Sequence, residues 1–444
     1  MNQKQNPPLI KGFSKLSRSE RIATIAKLLG ERDELAGWLD AYQHPGSEEQ
    51  QLFSRFSENY LTDFHLPFGV VPNVVVNNHH YIVPMVIEES SVVAAAAKAA
   101  GFWARHGGFH ARLAGTERRG QVHFTWSGGA EVLSGWFSGI RNRMLEAIAP
   151  ITKKMEARGG GITKIELLNK TSLIENYYQI DAAFETADAM GANFINTCLE
   201  QMAEVLNNEL AQHRNLGQVE VVMSILSNYT PMSLVECWVE APVEVLASVS
   251  GSMPPEVFAQ KFVLATQIAG VDVSRAVTHN KGIYNGVDAV VLATGNDWRA
   301  VEACGHAYAA ADGNYRSLSR AEVFDGIFKY TLYLPLAVGT VGGLTRTHPQ
   351  ARLAMEIMGH PNVEELMMVA AATGLANNFS AVAALITSGI QQGHMKMHLP
   401  NILQQLGCTK DETEKALHHF KGKQVSHAAV GVFIDHLRSN HGSE

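Results

Sequence analysis

Between Ala111 and Asn228 the spacing of apolar residues switches from two to 3.6 and back, which limits this stretch to a small set of folds. Val122, Phe124 and Trp126 alternate with Gln121, His123 and Thr125, the pattern of a half-buried strand. Residues 135–158 have helical spacing and run into Gly159, Gly160 and Gly161, which stop a helix. Strands are expected over 163–168 and 173–182, a helix over 191–213 and a last strand over 219–226. The resulting β-α-β-β-α-β order is the split βαβ, or ferredoxin-like, arrangement.

The flanking sequence reads differently. A helix is expected over 18–39, with Ser17 and Glu20 forming an S-x-x-E capping box, and another over 51–61. Residues 65–89 are rich in Val and Pro with Asn-Asn and His-His turn signals, and read as strands. Ser90 or Ser91 is expected to cap the helix that follows. Residues 242–390 read as mostly helical, with a glycine-rich break at 334–349. The apolar stretch 367–390 is diluted by Ala and Gly and interrupted by Asn377 and Asn378, so it reads as buried helices and not a membrane span. Beyond Gly393 the chain turns polar, and Thr409 with Glu412 forms another capping box.

The 444 residues suggest two or three domains, and 46% hydrophobic against 18% charged residues supplies a sizeable core. A formal net charge of -7 argues against a general nucleic-acid binder. Cys198, Cys237, Cys304 and Cys408 form no CxxC pair, which suits a reducing cytosol, and residues 1–13 contain no apolar signal-peptide core. A cytoplasmic protein without a membrane span is therefore expected.

Chemistry concentrates in a few segments. THNKGIYNG (278–286) and ATGNDW (293–298) place Lys281 and Asp297 in small, polar, turn-forming surroundings. A fixed cation beside a carboxylate in a cleft stabilises a forming oxyanion, whereas alone Lys281 reads as a loop lysine and Asp297 as a helix N-cap. Glu88 and Glu89 precede a helix start, where a carboxylate is favoured by the helix dipole. His394 and His398 share the i,i+4 spacing of metal ligands, but no HExxH or cysteine pair completes a set, so no metal is expected. In DAMGANFINT (188–197), Asp188 or Asn193 can cap a helix and Gly191 permits close backbone approach, as a pyrophosphate site requires. Arg275 can grip a carboxylate through two parallel hydrogen bonds.

THNKGIYNG, ATGNDW and DAMGANFINT, with IEESSVVAAAA (87–97) and GHMKMH (393–398), resemble in chain order the motifs of the class II, bacterial-type 3-hydroxy-3-methylglutaryl-coenzyme A (HMG-CoA) reductases. The resemblance implies an α+β chain. A large, mostly helical substrate domain (1–110 and 229–390) would carry an inserted ferredoxin-like nicotinamide domain (111–228), followed by a C-terminal helical flap (391–444). It implies four-electron reduction of HMG-CoA to mevalonate and coenzyme A with two NAD(P)H, in the mevalonate route to isoprenoids. The alternatives are the degradative direction with NAD, or a non-catalytic acyl-CoA-binding protein on the same fold.

By resemblance Glu89, Lys281, Asp297 and His394 are catalytic. Ser91, Arg275, Thr278 and Asn285 contact substrate. Asp188, Met190, Gly191, Ala192, Asn193 and Asn228 belong to the cofactor site. The resemblance also implies a homodimer or larger homo-oligomer with its active site at the subunit interface, and no nucleic-acid or membrane partner. Two departures stand out. ENYLT (58–62) replaces the family's ENVIG, and Thr152, followed by Lys153 and Lys154, stands where NADH-preferring relatives carry an aspartate. A threonine with flanking lysines tolerates a 2′-phosphate that an acid would repel, so NADPH is the expected cofactor, with NADH the alternative. The remaining histidines, His279 among them, read as surface or packing residues.

Overall fold

The computed structural model describes residues 9–30, 32, 34–213, 215–387, 399–400, 402–420, 423 and 425–440. The GHMKMH segment, with His394 and His398, lies outside the described residues. The chain forms two units, Met1–Pro67 and Phe68–Glu444.

In the first unit, helix α1 (Arg18–Leu28) starts at the expected capping box: the Ser17 amide donates to Glu20, and the Glu20 amide to Ser17 Oγ. It stops well short of residue 39, because Gly30 turns left-handed at φ 86, and the chain resumes as α2 (Leu35–Asp40). The next helix, α3 (Ser47–Phe53), lies earlier than the expected 51–61.

The second unit opens with a hairpin of β1 (Phe68–Val76) and β2 (His79–Val86). Asn77 and Asn78 both take positive φ, 49 and 67, the pair of left-handed residues that a tight two-residue hairpin turn requires. Helix α4 (Ser90–Trp103) follows. A four-stranded antiparallel sheet has the order β3-β8-β10-β9, from β3 (His110–Leu113), β8 (Leu234–Pro242), β9 (Ser319–Phe324) and β10 (Ile327–Pro335). The β9–β10 hairpin interrupts residues 242–390, which are otherwise mostly helical as expected. Asp325 and Gly326, at φ 48 and 76, make its turn, and alternate residues of β10 are buried.

Around this sheet pack α7 (Pro255–Val271), α8 (Val273–Ala293), α9 (Trp298–Ala309) and α12 (Val363–Ile386), with the shorter α10 (Gly343–Thr347) and α11 (Pro349–Ile357). Phe262 on α7 contacts Phe328 and Tyr330 edge-on, and Trp103 meets Phe379 at 5.2 Å between ring centres. Such pairs add about 0.5–1.5 kcal/mol each beyond area burial. Helix α12 is one continuous helix, long and apolar enough to cross a membrane, but 72% of its apolar window is buried inside the protein. Asn377 and Asn378, which read as interruptions, are internal to it: Asn378 Nδ2 donates to His279 O at 2.8 Å, and its Oδ1 accepts from the Tyr330 hydroxyl.

Inserted between β3 and β8 is the β-α-β-β-α-β run: β4 (Arg118–Trp126), α5 (Ala130–Glu156), β5 (Gly161–Asn169), β6 (Tyr177–Glu185), α6 (Ala192–Ala211) and β7 (Val219–Ser227). Its antiparallel sheet has the order β5-β6-β4-β7. Val122, Phe124 and Trp126 point to one face, where Ile140 and Met144 of α5 and Leu199 and Met202 of α6 close a separate core. The C-terminal helices Lys410–His419 and His427–Asn440 build a third core with Leu403, Ala416, Phe420, Val430 and Ile434. Thr409 and Glu412 form the expected capping box there, and Glu412 also pairs with Arg438 at 2.7 Å.

Candidate active site

Helix α8 shapes the site. Its segment 278–286 is not turn-forming, as its glycines and asparagines suggested, but helical throughout. Ala276, Ile283, Tyr284, Val287, Val290 and Val291 are buried at helical spacing, and that burial overrides the local turn preference. The glycines serve close packing instead. A Cβ on Gly286 would lie 2.6 Å from Thr373 O, and one on Gly374 3.2 Å from Ile283 O, so α8 and α12 cross nearly backbone to backbone. Asp272 caps α8, accepting from the Arg275 amide at 2.6 Å.

Arg275, Thr278, Lys281, Gly282 and Asn285 line one side of a cavity of about 480 Å³. Glu89 and Ser91 line it from the start of α4, Lys98 from further along the same helix, and Asn377 and Asn378 from α12. Lys281 Nζ sits 3.3 Å from Glu89 Oε2. Glu89 itself occupies the N-cap position of α4 and makes no capping bond with its side chain, correcting the expectation that Ser90 or Ser91 would cap. The Ser91 hydroxyl donates instead to Glu89 Oε1 at 2.6 Å. One carboxylate is thus held between a hydroxyl and an ammonium, both facing the cavity. Burial draws the Arg275 guanidinium below its ordinary pKa, with the nearby Tyr330 hydroxyl opposing.

His279 is not a surface residue: it is 1% exposed and lines the same cavity. Its Nε2 lies 2.6 Å from Ser319 Oγ, which lies 2.9 Å from the Tyr330 hydroxyl. Burial, helped by Arg275, pushes its pKa down to about 3, so it is neutral at pH 7. Sequence reasoning missed His279, Lys98, Asn377 and Asn378. Only the helical phase of residues 275–285, once read as a helix, could have flagged the histidine.

Asp297 is the N-cap of α9, accepting from the amides of Arg299 at 3.1 Å and Ala300 at 3.2 Å. It is not among the described residues lining the cavity. Neighbouring Asn296 accepts from the Gly339 amide at 2.8 Å, tying this turn to the glycine-rich segment before α10.

The same segment holds DAMGAN. Asp188 O accepts from the Thr340 amide at 2.8 Å, and a Cβ on Gly339 would strike the Met190 amide nitrogen. Gly191, left-handed at φ 86, is the N-cap of α6 with no side-chain cap, so neither Asp188 nor Asn193 caps as expected. Asp188 instead lines a second cavity of about 770 Å³, together with Thr340, Gly342, Arg346, Arg352 and His360. Met190, Ala192 and Asn228 meet in a narrow crevice beside Arg118 and Arg119. Arg118 is buried and donates to Ser233 Oγ and to Val338 O, and burial draws its pKa down to about 10. Thr152 is 2% exposed and its hydroxyl donates to Ala149 O in its own helix, so it presents no group to a cofactor. Lys153 and Lys154 beside it are exposed.

Residues 17–399 match the family model for hydroxymethylglutaryl-coenzyme A reductase. The chain is 34% identical over 409 residues to the 3-hydroxy-3-methylglutaryl-coenzyme A reductase of Archaeoglobus fulgidus, spanning 92% of this chain and 89% of that protein. It is 31% identical over 401 residues to a probable reductase of the same name from Borreliella burgdorferi, spanning 89% of each. Among solved structures it is similar to the class II 3-hydroxy-3-methylglutaryl-CoA reductase of Streptococcus pneumoniae bound to NADPH in open conformations. That likeness has a TM-score of 0.70 at 34% identity, over 85% of this chain and 99% of the other. With the Glu89–Lys281 pair in place on α4 and α8, these matches settle the question of kinship: the chain belongs to the hydroxymethylglutaryl-coenzyme A reductase family.

Proposed function

We propose that the chain reduces HMG-CoA to mevalonate and free coenzyme A with two molecules of NADPH. The observation that carries this reading is the Lys281–Glu89 contact, braced by Ser91 and facing a cavity that Arg275 also lines. The nicotinamide, when bound, supplies hydride to the thioester carbonyl and then to the aldehyde. Lys281 offsets the negative charge that develops on the carbonyl oxygen at each reduction. Glu89, accepting from both Lys281 and Ser91, is placed to pass a proton to that oxygen, with Ser91 fixing the orientation of its carboxylate. Arg275 holds the carboxylate of the HMG group, and Thr278 and Asn285 orient the rest. Asp297 is assigned to the charge network of Lys281 and Glu89 by family resemblance, in addition to its cap. His394, outside the described residues, is assigned by resemblance to protonate the departing thiolate.

The insertion is read as a ferredoxin-like nicotinamide domain, supported by its antiparallel strand order and separate core. Gly191 leaves the backbone of the DAMGAN loop open to close approach, and Asp188, Met190, Ala192, Asn193 and Asn228 would hold the cofactor there. Arg346 and Arg352, in the cavity that Asp188 lines, supply positive charge for its phosphates. With Thr152 buried, the preference for NADPH over NADH rests on Lys153 and Lys154. The rest of the reading follows the family: a cytoplasmic homodimer, or larger assembly, running in the biosynthetic direction.

The test is NADPH oxidation, followed by its absorbance, with HMG-CoA present. Absence of an HMG-CoA-dependent signal with either NADPH or NADH overturns the reductase reading. A tenfold or greater kcat/KM advantage for NADH overturns the cofactor assignment alone.

A further inference from the structure

Two buried polar atoms in the cavity wall have no partner within the protein. His279 is 1% exposed and Asn377 3%, and both line the cavity with Arg275. Among the described residues, no hydrogen-bond partner reaches His279 Nδ1 or Asn377 Nδ2. A buried polar atom left unpaired is costly, so such atoms in a cavity wall mark where a ligand supplies the partner.

The hydrogen bonds around His279 fix what its free nitrogen can do. Asn378 Nδ2 donates to His279 O at 2.8 Å, which sets the amide so that its Oδ1 accepts from the Tyr330 hydroxyl. The Tyr330 proton is thereby spent, so the 2.9 Å contact with Ser319 Oγ uses the proton of Ser319. Ser317 spends its own proton on Ser319 O. The 2.6 Å contact between Ser319 Oγ and His279 Nε2 therefore needs a proton on that nitrogen. The ring is neutral, since burial and then Arg275 push its pKa down to about 3. With its one proton on Nε2, Nδ1 is a bare lone pair that only accepts. The opposite tautomer would leave Ser319 and Tyr330 facing each other without a proton and would bury an N–H without an acceptor.

Asn377 offers the complement, because its Nδ2 carries only donors. An unused acceptor and an unused donor in one cavity fit a hydroxyl, which gives one hydrogen bond and accepts others. A carboxylate oxygen would be repelled by the lone pair on Nδ1. Arg275 lies one turn before His279 on α8, and its charge acts on both His279 and Tyr330. A carboxylate held by Arg275 is thus held beside the histidine. In HMG the hydroxyl sits on the second carbon from that carboxylate.

We propose that His279 Nδ1 accepts a hydrogen bond from the tertiary 3-hydroxyl of HMG-CoA, with Asn377 Nδ2 donating to the same oxygen, and that the two select this substrate over acyl-CoA thioesters lacking the hydroxyl. The proposal rests on the reductase reading and extends it to a group that takes no part in hydride transfer. A site built to pair a substrate hydroxyl rejects the analogue without it, whose binding leaves the site's own polar atoms unpaired. The Ser319–Tyr330–Asn378 chain keeps the ring in the accepting tautomer.

The test measures kcat/KM with NADPH for HMG-CoA and for 3-methylglutaryl-CoA, which carries hydrogen in place of the hydroxyl. Wild type is expected to prefer HMG-CoA by about 10²-fold or more. His279→Asn and His279→Leu both lose the Ser319 contact, but the asparagine amide oxygen stands near the position of Nδ1 and keeps an acceptor. His279→Leu should therefore lose most of the preference, while His279→Asn retains it. Asn377→Leu leaves the histidine in place and should lower the preference by about tenfold.

A wild-type preference below about tenfold overturns the hydroxyl assignment, as it would if a pantetheine amide were the donor to Nδ1. Equal losses on both thioesters in the two histidine variants, with the preference unchanged, make His279 structural and overturn its role. Where neither histidine variant folds, the wild-type preference and its loss in Asn377→Leu decide. Silence of the wild type toward HMG-CoA with either nicotinamide overturns the reductase reading, a result distinct from low preference in an active enzyme.

Discussion

Lys281 Nζ and Glu89 Oε2 stand 3.3 Å apart, although 192 residues separate them in the chain. One comes from the middle of α8 and the other from the N-cap of α4, so the pair exists only because α12 packs against both helices. Their side chains are 62% and 36% exposed, and such pairs contribute about 0.2–1 kcal/mol to stability. Their placement on the cavity wall, rather than their contribution to stability, is what needs explaining.

Lys281→Ala is expected to lower kcat by about 10²–10³-fold, the usual effect of removing one donor to a developing oxyanion. The thermal midpoint should stay close to wild type because the lysine is largely solvated. Near-normal turnover, measured by NADPH oxidation, would remove Lys281 from the chemistry.

Arg275→Lys should raise KM for HMG-CoA by about tenfold while changing kcat little, because an ammonium cannot make the two parallel bonds of a guanidinium. Steady-state kinetics check this. A change confined to kcat would place Arg275 elsewhere in the mechanism.

His279 predicts a stability trend at acid pH. Its folded pKa is pushed down to about 3 by burial, whereas an unfolded histidine titrates near its ordinary value. The unfolded chain therefore binds a proton that the native chain does not, and stability falls as pH drops from about 6.5 toward 3. The slope from this group is about 1.4 kcal/mol per pH unit. His279→Gln should be less stable at pH 7 by about 1–3 kcal/mol, for loss of the Ser319 contact. Its deficit should shrink as the pH is lowered below 6.5. Midpoints measured across that range check the sign, and a constant deficit would contradict it.

Gly286→Ala should destabilise by about 2–3 kcal/mol, since its methyl would be forced onto the α12 backbone at Thr373. Gly270→Ala on α7 is the control. Nothing lies within 4 Å of its added methyl, and it should be neutral or stabilising by up to about 1 kcal/mol. Urea unfolding of the two variants separates the packing effect from helix propensity.

Much of this protein is determined locally. The Ser17–Glu20 and Thr409–Glu412 capping boxes, the Asn77–Asn78 turn and the alternation along β4 are short-range patterns, because their hydrogen bonds and faces are set within a few residues. The β-α-β-β-α-β order follows from periodicity alone, and five motifs in chain order carried the family. What the sequence by itself misstated were places where long-range burial outweighs local preference. The glycines of 278–286 look like turn residues but permit the α8–α12 crossing. Thr152 looks available to a cofactor but packs inside α5, and Asp325–Gly326 turns a hairpin in a stretch that reads as helical. Only the tertiary structure could bring Glu89 to Lys281 and bury His279 beneath the same cavity. Those relationships depend on which helix faces meet, and that is fixed by packing of the whole core and by no short stretch of sequence.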